Sequence, residues 1–192
     1  QHSAGSGKTK TMAWLAHQFT NMIDANGAAV FDSIIMVTDR IVLNRNMAED
    51  VVNFETTLGT VMDIRKRSKT LADALNGKNR IIISTVQKFA YALDYLKHEQ
   101  QKRYAVIIDE AHTAVGNEAA KDLVNALSTQ EDLAQIEDYN PDDYESPLDA
   151  LMAQQQNYRK MMKHISYFAF TATPKDKTYA LYGKDGKEAH DL

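Results

Sequence analysis

Three clusters of residues in this chain have the types and spacing that phosphate chemistry needs. The first is at the start, where Ala4-Gly5-Ser6-Gly7-Lys8-Thr9 leads into an amphipathic segment. Glycines let a backbone curl so tightly that several N–H groups point at one anion, and a helix beginning there adds its positive end. Lys8 is then placed to reach β and γ phosphates, and the Thr9 hydroxyl to bind Mg²⁺. The full phosphate-loop pattern has a further glycine six residues before the lysine, and that place holds His2. The loop is therefore a variant whose first turn is made differently. A dinucleotide fingerprint fits less well, since it needs glycine where Lys10 stands.

The second cluster is Tyr104-Ala105-Val106-Ile107-Ile108-Asp109-Glu110-Ala111-His112, a buried-strand pattern that delivers two adjacent carboxylates at its tip. Asp109 suits the Mg²⁺ shared with Thr9, and Glu110 suits the task of orienting and deprotonating the water that attacks a γ phosphorus. Standing alone, the two carboxylates would equally serve as caps for a following helix. Glu110 and His112 are too close in sequence to form a zinc-binding helical pair. The third cluster is Phe168-Ala169-Phe170-Thr171-Ala172-Thr173-Pro174, a strand with two hydroxyls at its end. Read alone it is a strand closed by a proline turn; beside the second cluster, its hydroxyls can sense the nucleotide state through the carboxylates.

These clusters need a scaffold that brings distant residues to one edge. Segments 33–38, 80–85, 104–108 and 165–170 are short apolar runs, and 60–64 is a weaker one. Helical periodicity predicts helices over Thr9 to about Asn26 (with Met12, Leu15, Ala16, Phe19, Met22 and Ile23 on one face, ended by Gly27), Arg40 to about Glu55, and Lys69 to Leu75. It predicts three more over Gln87 to about Lys97, Glu118 to Leu127 and about Leu148 to Lys163. Apolar strands separated by helices imply a parallel sheet covered on both faces, with ligands at the carboxyl ends of the strands. All three clusters fall at such ends.

Composition agrees with one soluble domain of 192 residues: 44% hydrophobic and 25% charged, with no cysteine and so no disulfide or cysteine-based zinc site. No apolar run approaches the ~18 residues of a membrane span and no secretory leader is visible, so the expected setting is cytoplasmic. The strand that should feed the phosphate loop is expected upstream of Gln1, which makes the chain part of a longer polypeptide. The net charge of −4 is local in origin. Residues 131–149 hold eight acids and no Lys or Arg, leaving 18 acids against 22 bases elsewhere, a mild balance that points to no partner. The acidic stretch, part of a segment of about 129–160, reads as a surface insertion, either solvated or in contact with a neighbouring domain.

Gly5-Ser6-Gly7-Lys8-Thr9, Asp109-Glu110-Ala111-His112 and Thr171-Ala172-Thr173, in this order, resemble motifs I, II and III of superfamily 2 helicases and translocases. The longer wording, His2 to Thr9 with Ala13-Trp14-Leu15-Ala16-His17, Val37 to Leu43, Ser84 to Phe89 and Phe168 to Lys175, resembles the motor (R) subunit of type I restriction enzymes. That resemblance implies a RecA-like P-loop NTPase domain over residues 1–192. In that family it works with a second RecA-like domain, uses ATP and Mg²⁺, and moves on double-stranded DNA beside methylation and specificity subunits. It implies that His112, Thr171 and Thr173 couple nucleotide state to movement. It also implies that Thr38 and Arg40, in Thr38-Asp39-Arg40, and Thr85 and Lys88, in Ser84-Thr85-Val86-Gln87-Lys88, touch the DNA backbone. Hydroxyls and cations at strand ends can hold phosphates without reading bases, as a motor on any sequence requires. The bland alternative for Arg40 and Lys88 is a solvated surface. Two other readings stay open. One is an RNA or DNA helicase of superfamily 2 outside restriction systems, since Asp-Glu-Ala-His also occurs in RNA helicases. The other is a non-catalytic interaction module, against which the intact set Lys8, Thr9, Asp109 and Glu110 argues. The residues present are expected to bind Mg-ATP weakly and to hydrolyse it negligibly without the second domain.

Overall fold

The structure, a computed structural model, describes residues 7–38, 51, 61–63, 68–77, 79–96, 102–109, 118–136 and 162–171. Helix α1 (Lys8–Asn21) leads to β1 (Ser33–Thr38), then β2 (Val61–Asp63), α2 (Ser68–Asn76), β3 (Ile81–Thr85) and α3 (Lys88–Ala92). A 3₁₀ turn (Leu93–Tyr95) extends α3, and β4 (Tyr104–Asp109), α4 (Glu118–Leu127), α5 (Gln130–Ile136) and β5 (Ile165–Phe170) complete the order.

The five strands form one sheet in the order β2-β3-β1-β4-β5, and every pairing is parallel. Burial explains the arrangement. All residues of β1, β3 and β4 are buried. Strands covered on both faces show continuous apolar runs, and parallel strands need helical crossovers that supply the cover.

Alternate side chains divide the core into two layers, as a period of two requires. On one face Ile35, Val37, Ile82, Val106 and Ile108 meet Leu71 and Leu75 of α2, Phe89 of α3 and Leu123, Val124 and Leu127 of α4. On the other, Ile34, Met36, Ile81, Ile83, Ala105 and Ile107 meet Met12, Ala13, Ala16 and Phe19 of α1, together with Phe31 and Val51. Phe19 sits 4.5 Å from the Phe168 ring and 5.3 Å from that of Phe31, which fixes α1 across β1, β4 and β5. His17 ties the same helix to the Val51 carbonyl at 2.8 Å.

All five predicted strands match within a residue at each end, and α4 matches at both ends. Three expectations need correction. First, α1 stops at Asn21, so Met22 and Ile23 lie outside the helix and are exposed. Their apolar spacing continues the helical period, but the Asp24 carboxylate accepts the N–H groups of Asn26 and Ala28, and Gly27 takes φ 79° to close that turn. Ile23 then bridges Ala29, so Gly27 shapes a reversal beyond the helix rather than its end. Second, the α-helix predicted over Gln87 to Lys97 ends at Ala92 and tightens into the 3₁₀ turn.

Third, the acidic segment begins as a docked helix. Thr129 and Asp132 cap α5 reciprocally: the Thr129 N–H donates to Asp132 Oδ2 and the Asp132 N–H to Thr129 Oγ1. Asp132 is buried, 3.7 Å from His164 just before β5. The helices predicted around 40–55 and 148–163 lie outside the described residues, apart from Val51 within the first and Met162–Lys163 at the end of the second. Among the described residues no helix is long and apolar enough to cross a membrane.

Candidate functional site

Strand order decides where a site can form. The chain leaves β1 toward β2 and β3 on one side and returns past β1 to β4 and β5 on the other. Such a reversal opens a crevice at the carboxyl ends of the central strands. Thr38 ends β1, Asp109 ends β4, Phe170 ends β5 and Thr85 ends β3. The pairings Val37↔Ile108 and Asp109↔Phe170 bring these tips level.

Into this crevice α1 directs its first turn. Gly7 precedes the helix at φ 81°, a left-handed conformation that strains any other L-residue, and its carbonyl accepts the Thr11 N–H at 3.0 Å. Lys8 is the first helical residue. Its Nζ lies 2.9 Å from Asp109 Oδ1, and the two side chains are only 13% and 5% exposed. Residues a hundred positions apart are thus joined by an enclosed ion pair. Thr9 follows in the same turn, partly exposed.

The donor chemistry fits a magnesium-bound nucleotide. Magnesium is commonly held by one or two carboxylates together with substrate phosphates and water. Asp109 supplies a buried carboxylate, Thr9 a hydroxyl adjacent to Lys8 in the first turn of α1, and α1 a positive helix end. Among the described residues no three His, Asp or Glu side chains gather into an all-protein metal cage.

Thr171 follows Phe170, the register partner of Asp109, and so stands beside the carboxylate strand. Thr38 and Thr85 are direct register partners, and the Val86 N–H donates to the Thr38 carbonyl at 3.1 Å. Both threonines are buried, 1% and 4% exposed, whereas Lys88 at the start of α3 is partly exposed. The strand ends therefore form a closed ledge, with Lys88 on its rim. Ala4, Gly5, Ser6, Arg40, Glu110, His112 and Thr173 lie outside the described residues.

The perturbed titrations lie at the other edge of the sheet. Burial, followed by the negative charge of Asp32, pushes the Tyr104 phenol up to about 12. Burial also lowers the Lys102 amine, an effect that Asp32 opposes. Lys102 donates to the carbonyls of Leu75 and Gly77, and Arg80 to those of Thr20, Phe31 and Asp32. Residue order assigns none of these side chains a role of its own, and Tyr104 enters it only as the first residue of a strand. Residue order does not show the Lys8–Asp109 contact either, because each residue reads as a partner for phosphate or metal rather than for the other.

The model of the SWI2/SNF2 ATPase family matches residues 1–188. No curated protein matches the chain. With a phosphate-loop lysine and a strand-end aspartate meeting at the crevice of a parallel sheet, the chain belongs to the SWI2/SNF2 ATPase family and forms a RecA-like α/β domain of the superfamily 2 helicase type.

Proposed function

We propose that this chain is the first RecA-like motor domain of an ATP-driven double-stranded DNA translocase, the R subunit of a type I restriction enzyme working in the cytoplasm. The single observation that carries the nucleotide half of this reading is the enclosed Lys8–Asp109 pair at the strand tips, where phosphate and metal chemistry converge. The restriction half is supported by the motif wording around Lys8, Thr38, Thr85 and Thr171.

In this reading Gly5, Ser6 and Gly7 wrap the phosphates with backbone N–H groups, beside Ala4, and Lys8 neutralises the β and γ oxygens. Thr9 and Asp109 would hold Mg²⁺, which when bound would supply charge neutralisation to the phosphoryl oxygens. Glu110 orients the attacking water and accepts its proton. His112, Thr171 and Thr173 relay the state of the nucleotide to the DNA-facing residues. A second RecA-like domain supplies the arginine that completes the site, worth roughly 10³–10⁵ in rate for such fingers. Arg40 and Lys88 neutralise backbone phosphates from beside the Thr38–Thr85 ledge, which serves a motor that must pass over any sequence. Methylation and specificity subunits would choose the site at which movement begins.

The test is ATP hydrolysis by the complete polypeptide with its methylation and specificity subunits, stimulated in turn by linear duplex DNA, single-stranded DNA and RNA. Stimulation by duplex DNA, lost in Lys8→Ala, is the expected result. Stimulation by RNA or single strands alone would keep the phosphate chemistry and overturn the track and the restriction assignment.

A further inference from the structure

Of the residues that the DNA reading implicates, Thr38 and Thr85 are only 1% and 4% exposed at the ends of β1 and β3. Their hydroxyls are closed off from a bulky polyanion lying on the surface. What the ledge presents to solvent is the beginning of α3, where Gln87 is exposed and Lys88 partly so. The Val86 N–H, donated to the Thr38 carbonyl at 3.1 Å, fixes the point at which α3 leaves the ledge.

Tyr91 lies three residues beyond Lys88, hence beside it on the helix surface, and is 69% exposed. Phe89 and Ala92, on the inner face of the same turns, are fully buried in the core shared with α2 and α4. A firmly seated helix thus holds the phenol outward next to a cation. Tyrosine and lysine side chains both donate to phosphate oxygens, and such contacts carry no sequence information. One turn beyond Tyr91 stands Asp94, which is exposed and repels a phosphate. The face therefore has a direction, attractive toward the ledge and repulsive away from it.

We propose that Tyr91 is a further contact for the DNA backbone, its phenol O–H donating to a phosphate beside the one that Lys88 neutralises. Asp94 ends the contact before Tyr95, which is 54% exposed one turn farther from the ledge. The hydroxyl that meets DNA at this edge is then the exposed phenol rather than the buried threonines. A neutral donor also fixes the path of the backbone without adding salt-sensitive attraction, which suits a motor that must release each phosphate in turn.

This inference rests on the DNA reading above, and the experiment separates the two. Affinity for linear duplex DNA is measured on the complete polypeptide across a series of salt concentrations. The proteins compared are wild type, Tyr91→Phe, Tyr91→Ala, Tyr95→Phe, Tyr95→Ala and Lys88→Ala. Both Tyr91 variants should bind roughly five- to tenfold more weakly, and both Tyr95 variants within about twofold of wild type. Tyr91→Phe should leave the slope of log affinity against log salt unchanged, whereas Lys88→Ala should reduce it by about one.

Wild-type affinity in Tyr91→Phe would overturn the phosphate contact; a loss confined to Tyr91→Ala would show stacking by the ring instead. Equal losses at Tyr91 and Tyr95 would overturn the direction set by Asp94. Intact DNA binding with lost subunit assembly in Tyr91→Phe would assign this face to a protein partner and overturn the proposal. Failure of wild type to bind duplex DNA would instead overturn the DNA reading itself.

Discussion

The two edges of the sheet treat positive charge differently. At the amino-terminal edge, Arg80 donates to the carbonyls of Thr20, Phe31 and Asp32, and Lys102 to those of Leu75 and Gly77. Arg103 stands 3.5 Å from the Asp32 carboxylate and donates its backbone N–H to it. These acceptors are mostly main-chain atoms, fixed wherever the fold is fixed. At the carboxyl edge Lys8 meets a side-chain carboxylate, which other cations can also satisfy. A cation on backbone carbonyls staples the chain, whereas a cation on a carboxylate can be exchanged for a ligand. The same residue chemistry thus makes a base at one edge and a site at the other.

Substitutions at the two edges should separate activity from stability. The largest effect is expected at the carboxyl edge, where Lys8→Ala should lower DNA-stimulated ATP turnover by about a thousandfold, near 4 kcal/mol in the barrier. Steady-state hydrolysis by the complete complex measures it. Turnover within tenfold of wild type would place the phosphate site elsewhere. At the base, Arg80→Met should cost about 3 kcal/mol of stability by leaving the carbonyls of Thr20, Phe31 and Asp32 without their charged donor. Denaturant unfolding reads this loss, and turnover per folded molecule should be unchanged.

Tyr104 sharpens the contrast through pH. Its phenol is raised in the folded chain to about 12, so the neutral form is favoured by folding. That contribution is fully present below about pH 10, the ordinary tyrosine value, and is lost as pH climbs toward 12. Tyr104→Phe should flatten the alkaline fall in stability by up to about 2.5 kcal/mol, as followed by unfolding at stepped pH. An alkaline profile identical to wild type would assign the fall to other groups. The smallest effect is expected at α5, where Thr129→Val removes half of the reciprocal cap and should cost about 1 kcal/mol. Protease sensitivity of the segment after Leu127 should rise with it.

Much of this fold is legible in residue order because β1, β3 and β4 are apolar runs that end in polar residues, and β5 is a largely apolar run followed by Thr171. The candidate site is legible for the same reason: each motif sits where such a run stops. What residue order hides is competition between local and distant partners. Met22 and Ile23 continue the apolar period of α1, yet the Asp24 turn takes the backbone out of the helix. Acid content makes the segment after Ser128 read as solvated, although Thr129-Gln130-Glu131-Asp132 carries a capping pattern and Asp132 is buried against His164. Lys8 and Asp109 were each readable as ligands for phosphate and metal. Their pairing depends on how α1 crosses β4, which Phe19 settles through Phe31 and Phe168.

Nucleotide-dependent thermal stabilisation tests most directly whether the carboxyl edge is the exchangeable one. Melting of the complete polypeptide is followed with and without Mg-ATP for wild type, Lys8→Ala and Arg80→Met. The expected result is a rise in Tm with Mg-ATP in wild type and Arg80→Met, from a lower starting point in the latter, and none in Lys8→Ala. An equal rise in Lys8→Ala, or its loss in Arg80→Met, would contradict the assignment of the site to the Lys8–Asp109 edge.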